Sequence, residues 1–227
     1  MLIVPKLVGY AASFPRKLTI SHESSGTDGV DRTVYTFSSL AFGAVPAAGE
    51  RRFLVVSVGA VENGTGAFSI SSLTVAGIAA TLVVAQINVI ANQAASAIYY
   101  LELLTGTSGD VVVTFNTQIA LCGVAIARVI SNAGFLVHHT SVDVVDSIDL
   151  SLNIPRNGVA VGTTQSINST GSTWTGLTEV VDTEIPTGEF FSVAQDQFTV
   201  AETARTIQMD ASGSPAELSG VAASFSA

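Results

Sequence analysis

The residues best equipped for chemistry stand between positions 138 and 149, where His138-His139 is followed by Asp143, Asp146 and Asp149. Imidazole and carboxylate are the ligand types that zinc and calcium sites use. On a strand, however, consecutive side chains point to opposite faces, so the two imidazoles do not converge on one ion. The aspartates recur every three positions, which also alternates faces. They lack the Asp-x-Asp-x-Asp-Gly spacing and the terminal glutamate of a calcium loop. The expectation is a solvated loop and strand edge, with no metal and no cofactor.

Other catalytic patterns are sparse. The chain has no Gly-x-Ser-x-Gly elbow, no His-Glu-x-x-His pair, no phosphate-binding loop and no dinucleotide fingerprint. A serine nucleophile would have to borrow His22, His138 or His139, and no serine stands at a suggestive distance from them. The acids between Glu179 and Glu202 supply carboxylates of the kind a glycosidase uses, without a pattern that marks two of them. No enzymatic activity is expected. Cys122 is the only cysteine and lies in the apolar run ALCGVAIA, which predicts a buried, inert thiol.

Binding is the other chemistry to weigh. Trp174 lies in the polar stretch STGSTWTGLTEV, where an exposed indole would stack on a sugar ring and a buried one would pack a core. Phe190-Phe191 sets one ring on each face of a strand, which leaves one of them available for a subunit contact. Residues 1–20 carry Lys6, Arg16 and Lys17 and no acid. From residue 61 onward fourteen acids face only Arg128, Arg156 and Arg205. An acidic body of this kind disfavours nucleic acid and anionic membranes as partners. The basic segment reads as an arm that docks on an acidic neighbour.

The elements that must position these residues are strands. Charged residues make up 12% of the 227-residue chain, well below the usual quarter, which favours a large subunit interface. RRFLVVSVGAV and IALCGVAIARVI are apolar on both faces, as core strands of a sandwich are. Asn63-Gly64 and Ala76-Gly77 read as tight turns, and ESSGTDGVDR as a polar loop. VVAQINVIANQAASAIYYLELL suits either a helix or strands, and its β-branched residues and Tyr99-Tyr100 tip it to strands. Further strands are expected at DLSLNIP, GVAVGTTQS, WTGLTEVVDTEI, EFFSVAQDQF, RTIQMDA and SGVAASFS. The start MLIVPKLVGY lacks the pattern of a signal peptide, and no apolar run is long enough for a membrane helix. The expected architecture is an all-β, antiparallel, jelly-roll-like sandwich of residues 21–227 behind an N-terminal arm of residues 1–20.

One block carries a resemblance. YTFSSLAFGAV, then ERRFLVVSVGAVENGTGAFSISSLTVAGIAATLVV, then AIYYLELLTGTSGDVVVTFN and CGVAIARV resemble, over residues 33–130, a set of structural proteins of tailed bacteriophages and prophages. The resemblance implies a virion component without enzymatic activity. Its leading form is an outer capsid decoration or cement protein that assembles with copies of itself on the major capsid protein, Lys6, Arg16 and Lys17 docking it. Alternatives are a tail-tip, fibre or head-spike module, or a module in which Trp174 binds a host glycan.

Overall fold

A computed structural model describes residues 16–62, 64, 67–88, 93–144, 147–186 and 188–227, with backbone alone at 214–216. Its strands form three antiparallel sheets. The central sheet holds, in neighbour order, β1 (Leu18–Asp28), β9 (Leu121–Ser131), β3 (Arg51–Glu62), β7 (Gln93–Glu102) and β6 (Thr81–Ile87). The outer sheet holds β2 (Arg32–Ala41), β8 (Ser108–Ile119), β4 (Ile70–Val75) and β5 (Ile78–Ala79). The third sheet orders β10 (Leu136–Asp143), β15 (Glu202–Ser226), β12 (Val159–Thr175), β14 (Glu189–Gln197) and β13 (Thr178–Ile185). In that sheet β11 (Ile148–Ile154) pairs with the first part of β15.

The central sheet is covered on both faces, and its sequences say why. Along β3, Leu54, Val56 and Val58 pack with Tyr35, Phe37 and Val113 of the outer sheet. The alternate residues Phe53, Val55 and Val61 pack with Val161, Phe191 and Phe225 of the third sheet. A strand buried on both sides needs apolar side chains at every position, which removes the usual alternation. Gly59 and Gly123 stand opposite each other in β3 and β9. A Cβ on Gly59 would lie 2.5 Å from the Phe191 ring, and one on Gly123 would lie 2.9 Å from it. The paired glycines thus form the slot that receives this ring.

The third sheet folds over itself. The β12–β15 ribbon is irregular between Ile167 and Ser172, where Asn168 has φ 59° and Gly171 has φ 141°. Beyond this bend β12 lies back across its own beginning. A Cβ on Gly162 would come within 2.7 Å of the Trp174 ring. Trp174, Leu177, Ile207 and Met209 fill the resulting core with Ala160, Ala194 and the apolar side of β11.

The all-β antiparallel sandwich is therefore as expected, with a third sheet added to the two that a simple sandwich has. Several local expectations are corrected. Residues 18–20 belong to β1 and not to an arm, and ESSGTD is the end of that strand and not a loop. This polar run is stable as a strand because β9 supplies its backbone partners from Leu18↔Ser131 to Asp28↔Cys122. Asn63 lies outside the described residues. The strands on either side, β3 and β4, belong to different sheets and do not pair with each other. Ala76-Gly77 does make a two-residue hairpin, with φ of 50° and 79° and Val75 paired to Ile78. RTIQMDA and SGVAASFS are two parts of the single strand β15.

Candidate functional site

The histidine–aspartate group resolves into a strand edge and its turn. His138 is the extra residue of a bulge in β10 and is exposed. His139 is half-buried, and its Nδ1 has no protein partner. Asp143 accepts hydrogen bonds from the backbone N–H of Val144 and of Asp149, both at 2.8 Å. Asp149 accepts from Gln208 Nε2 at 2.6 Å. The two carboxylates therefore shape the β10–β11 connection. Asp146 lies outside the described residues, and among the described residues no three His, Cys, Asp or Glu side chains converge.

Trp174 is 8% exposed, so of the two expectations the indole packed in a core holds and the one open to a sugar does not. The cause is the fold-back of β12, which lays the ring on Gly162 while Nε1 donates to Ser192 Oγ at 2.7 Å. Phe191 is fully buried in the glycine slot, so it is no subunit contact, whereas Phe190 on the other face of β14 is half-buried. Cys122 is fully buried, and burial pushes its thiol well above the ordinary range.

Arg16 and Lys17 are exposed just before β1, and Lys6 lies outside the described residues. The N–H of Leu18 donates to the carbonyl of Asn157 at 3.0 Å. This bond brings the turn holding exposed Arg156 to the same end of the molecule. The β1–β13 side is acidic, with Glu179, Asp182 and Glu184 exposed along β13. Burial, with the neighbouring Asp182 carboxylate adding to it, raises the pKa of Glu179. Glu189 is raised as well, first by burial.

Arg52 is the residue whose role the sequence concealed. It is fully buried at the start of β3. Its Nε donates to the Leu103 carbonyl at 2.7 Å, Nη1 to Gly43 at 3.0 Å, and Nη2 to Thr105 at 2.8 Å and Gly106 at 2.7 Å. A guanidinium with five fixed donors suits such a ring of carbonyls. Burial lowers its pKa, Arg128 adds to that, and the Glu23 carboxylate opposes both. The adjacent Arg51 instead pairs with Glu102 at the surface. The only prior signal was an arginine directly preceding a continuous apolar run.

Polar side chains also fasten the central sheet to the third. Thr163 Oγ1 donates to Ser57 Oγ at 2.6 Å, Ser96 Oγ to the Ser219 carbonyl at 2.8 Å, and Asn88 Nδ2 to the Leu218 carbonyl at 3.1 Å.

The described residues also form an apolar concavity. A groove of about 170 Å³ opens between β4 and β6 and is lined by Ile70, Leu82, Ala85, Ile87, Ala95 and Tyr99 among others. Burial raises the Tyr99 phenol to about 12, so it is neutral at physiological pH. Leu82 on the rim is 51% exposed. This groove and the basic end are two surfaces equipped for binding, one by apolar contact and one by charge. No protein-family model, curated protein or solved structure was found to match this chain.

Proposed function

We propose that the chain is a non-enzymatic structural subunit of a bacteriophage virion, an outer capsid decoration or cement protein that assembles with copies of itself. The observation that carries this reading is how its reactive side chains are spent. Cys122 and Trp174 are packed in cores, Arg52 ties two loops to β3, and Asp143 and Asp149 hold a turn. The virion context is supported by the strand-and-turn resemblance over residues 33–130. In this role a stiff stack of sheets covers neighbouring shell subunits and stabilises the assembled state by mass action. Lys6, Arg16 and Lys17 dock on an acidic part of the shell, and Arg156 at the same end adds a fourth cation.

Copy number in purified particles tests the proposal. Hundreds of copies per virion are expected for a shell protein, a handful would move it to the tail tip, fibre or head spike, and none would reject the virion role. The docking segment has its own test. Deleting residues 1–17, which leaves β1 whole, is expected to abolish incorporation, and undiminished incorporation would remove the tether. Buried Trp174 no longer supports a glycan-binding module.

A further inference from the structure

The central and outer sheets are joined by short connections at both flanks, and one flank holds the apolar groove. At one flank a three-residue connection links β1 to β2, and Asp28 pairs with Arg32 across it at 2.8 Å. At the other flank Ala80 alone links β5 to β6, its N–H donating to the Leu73 carbonyl of β4 at 2.9 Å, and beside this link the apolar groove lies between β4 and β6. The strand β6 is an edge, hydrogen-bonded to β7 on one side and to no strand on the other among the described residues. At its far end the Gln86 carbonyl already accepts from Ser219 Oγ. The segment Thr81–Ala85 remains an unpaired edge that carries Leu82.

Charge decides what can cover it. Thr81–Ile87 holds no ionisable side chain, whereas the other edge of the central sheet carries His22, Glu23 and Asp28. The edge strand β13 of the third sheet carries Glu179, Asp182 and Glu184. Two copies with a net charge of −9 each repel along most approaches. Meeting through β6 sets no carboxylate of one edge strand against another. Charged side chains are one device that keeps an edge strand from pairing with another chain, and β6 carries none.

We propose that a second copy of this chain covers the β6 edge, its own β6 antiparallel to the first across a two-fold axis and its Leu82 seated in the groove. A two-fold axis generates antiparallel edge pairing of a strand with itself. Pairing centred between Val83 and Val84 sets Leu82 opposite Ala85 of the second copy, and both residues line the groove. The bulge between Leu82 and Val84 turns these two side chains to one face. Cavities of about 150 Å³ lined by aliphatic and aromatic residues accept a benzene-sized group, so this groove has room for one leucine side chain. The inference rests on the reading of the chain as a self-assembling subunit and names where the copies meet.

Sedimentation velocity over a range of concentrations tests it, with Leu82→Lys and Ala85→Arg on the edge and Val34→Lys on the exposed outer sheet as the control. All three positions are exposed, so thermal unfolding at concentrations too low for association should be unchanged. The wild type and Val34→Lys are expected to self-associate alike, and each edge variant to associate about tenfold or more weakly. Association that survives both edge variants overturns the interface, as does a wild-type chain that stays monomeric. A monomeric chain that still enters virions would end this inference and leave the virion reading standing. Dimers that depend on Leu82, in a chain absent from virions, would do the reverse.

Discussion

Arg52 is the side chain whose loss should be felt furthest, because one buried guanidinium satisfies carbonyls from two separate loops. Arg52→Met leaves those acceptors dry and unpaired, and each such group costs about 1–3 kcal/mol. Chemical denaturation should therefore show a loss of about 3 kcal/mol or more. Arg52→Lys should recover only part of it, since an ammonium cannot span the same fork. The glycine slot predicts a coupled pair. Gly59→Ala should cost about 1–3 kcal/mol by overpacking Phe191. Phe191→Leu should relieve part of that, and a double-mutant cycle that shows no coupling would contradict the slot. His22 makes a pH prediction. Burial lowers its pKa below 6.5, with Glu23 opposing. The unfolded chain then binds the proton more readily, so the stability due to neutral His22 is present above pH 6.5 and is lost as pH falls below it. His22→Gln should flatten the pH dependence of the unfolding midpoint between pH 7 and 5.

At the scale of elements, strands flanked on both sides should open last. Hydrogen exchange should be slowest in β3 and β9, which have partners on both edges and cover on both faces, and fast in β6 and β10. Equal protection in β3 and β6 would count against the layered stack. The doubly covered strands were also the most legible in the sequence, because continuous apolar runs of β-branched residues have few other destinations. The polar strand β1 was hidden. Its stability comes from β9, a partner that local propensity does not register. The fold-back of β12 was hidden for a related reason. STGSTWT reads as a loop until the bend at 167–172 brings Trp174 over Gly162, two residues whose contact depends on tertiary structure alone. The site residues were legible in the same measure. The inert setting of Cys122 followed from its neighbours in sequence, whereas the burial of Trp174 and Phe191 depended on glycines elsewhere in the chain.

For the molecule as a whole, the layers are not interchangeable. The outer sheet packs on one face of the central sheet, while the third sheet covers the other and adds a core of its own. Removing the contact between Trp174 and Gly162 should therefore loosen the folded-over ribbon before the central sheet. Trp174→Ala is expected to cost about 3–5 kcal/mol by core truncation, with the earliest loss of protection in β11 and the first part of β15. Simultaneous loss across β3 and β9 would indicate one indivisible unit instead. The pairing of Leu18 with Ser131 also sets an order in time. As the chain is synthesised, β1 leaves the ribosome long before β9 exists to receive it. Its serines, threonines and acids keep it soluble through that wait, so the composition that disguises the strand also protects the nascent chain until the sheet can close.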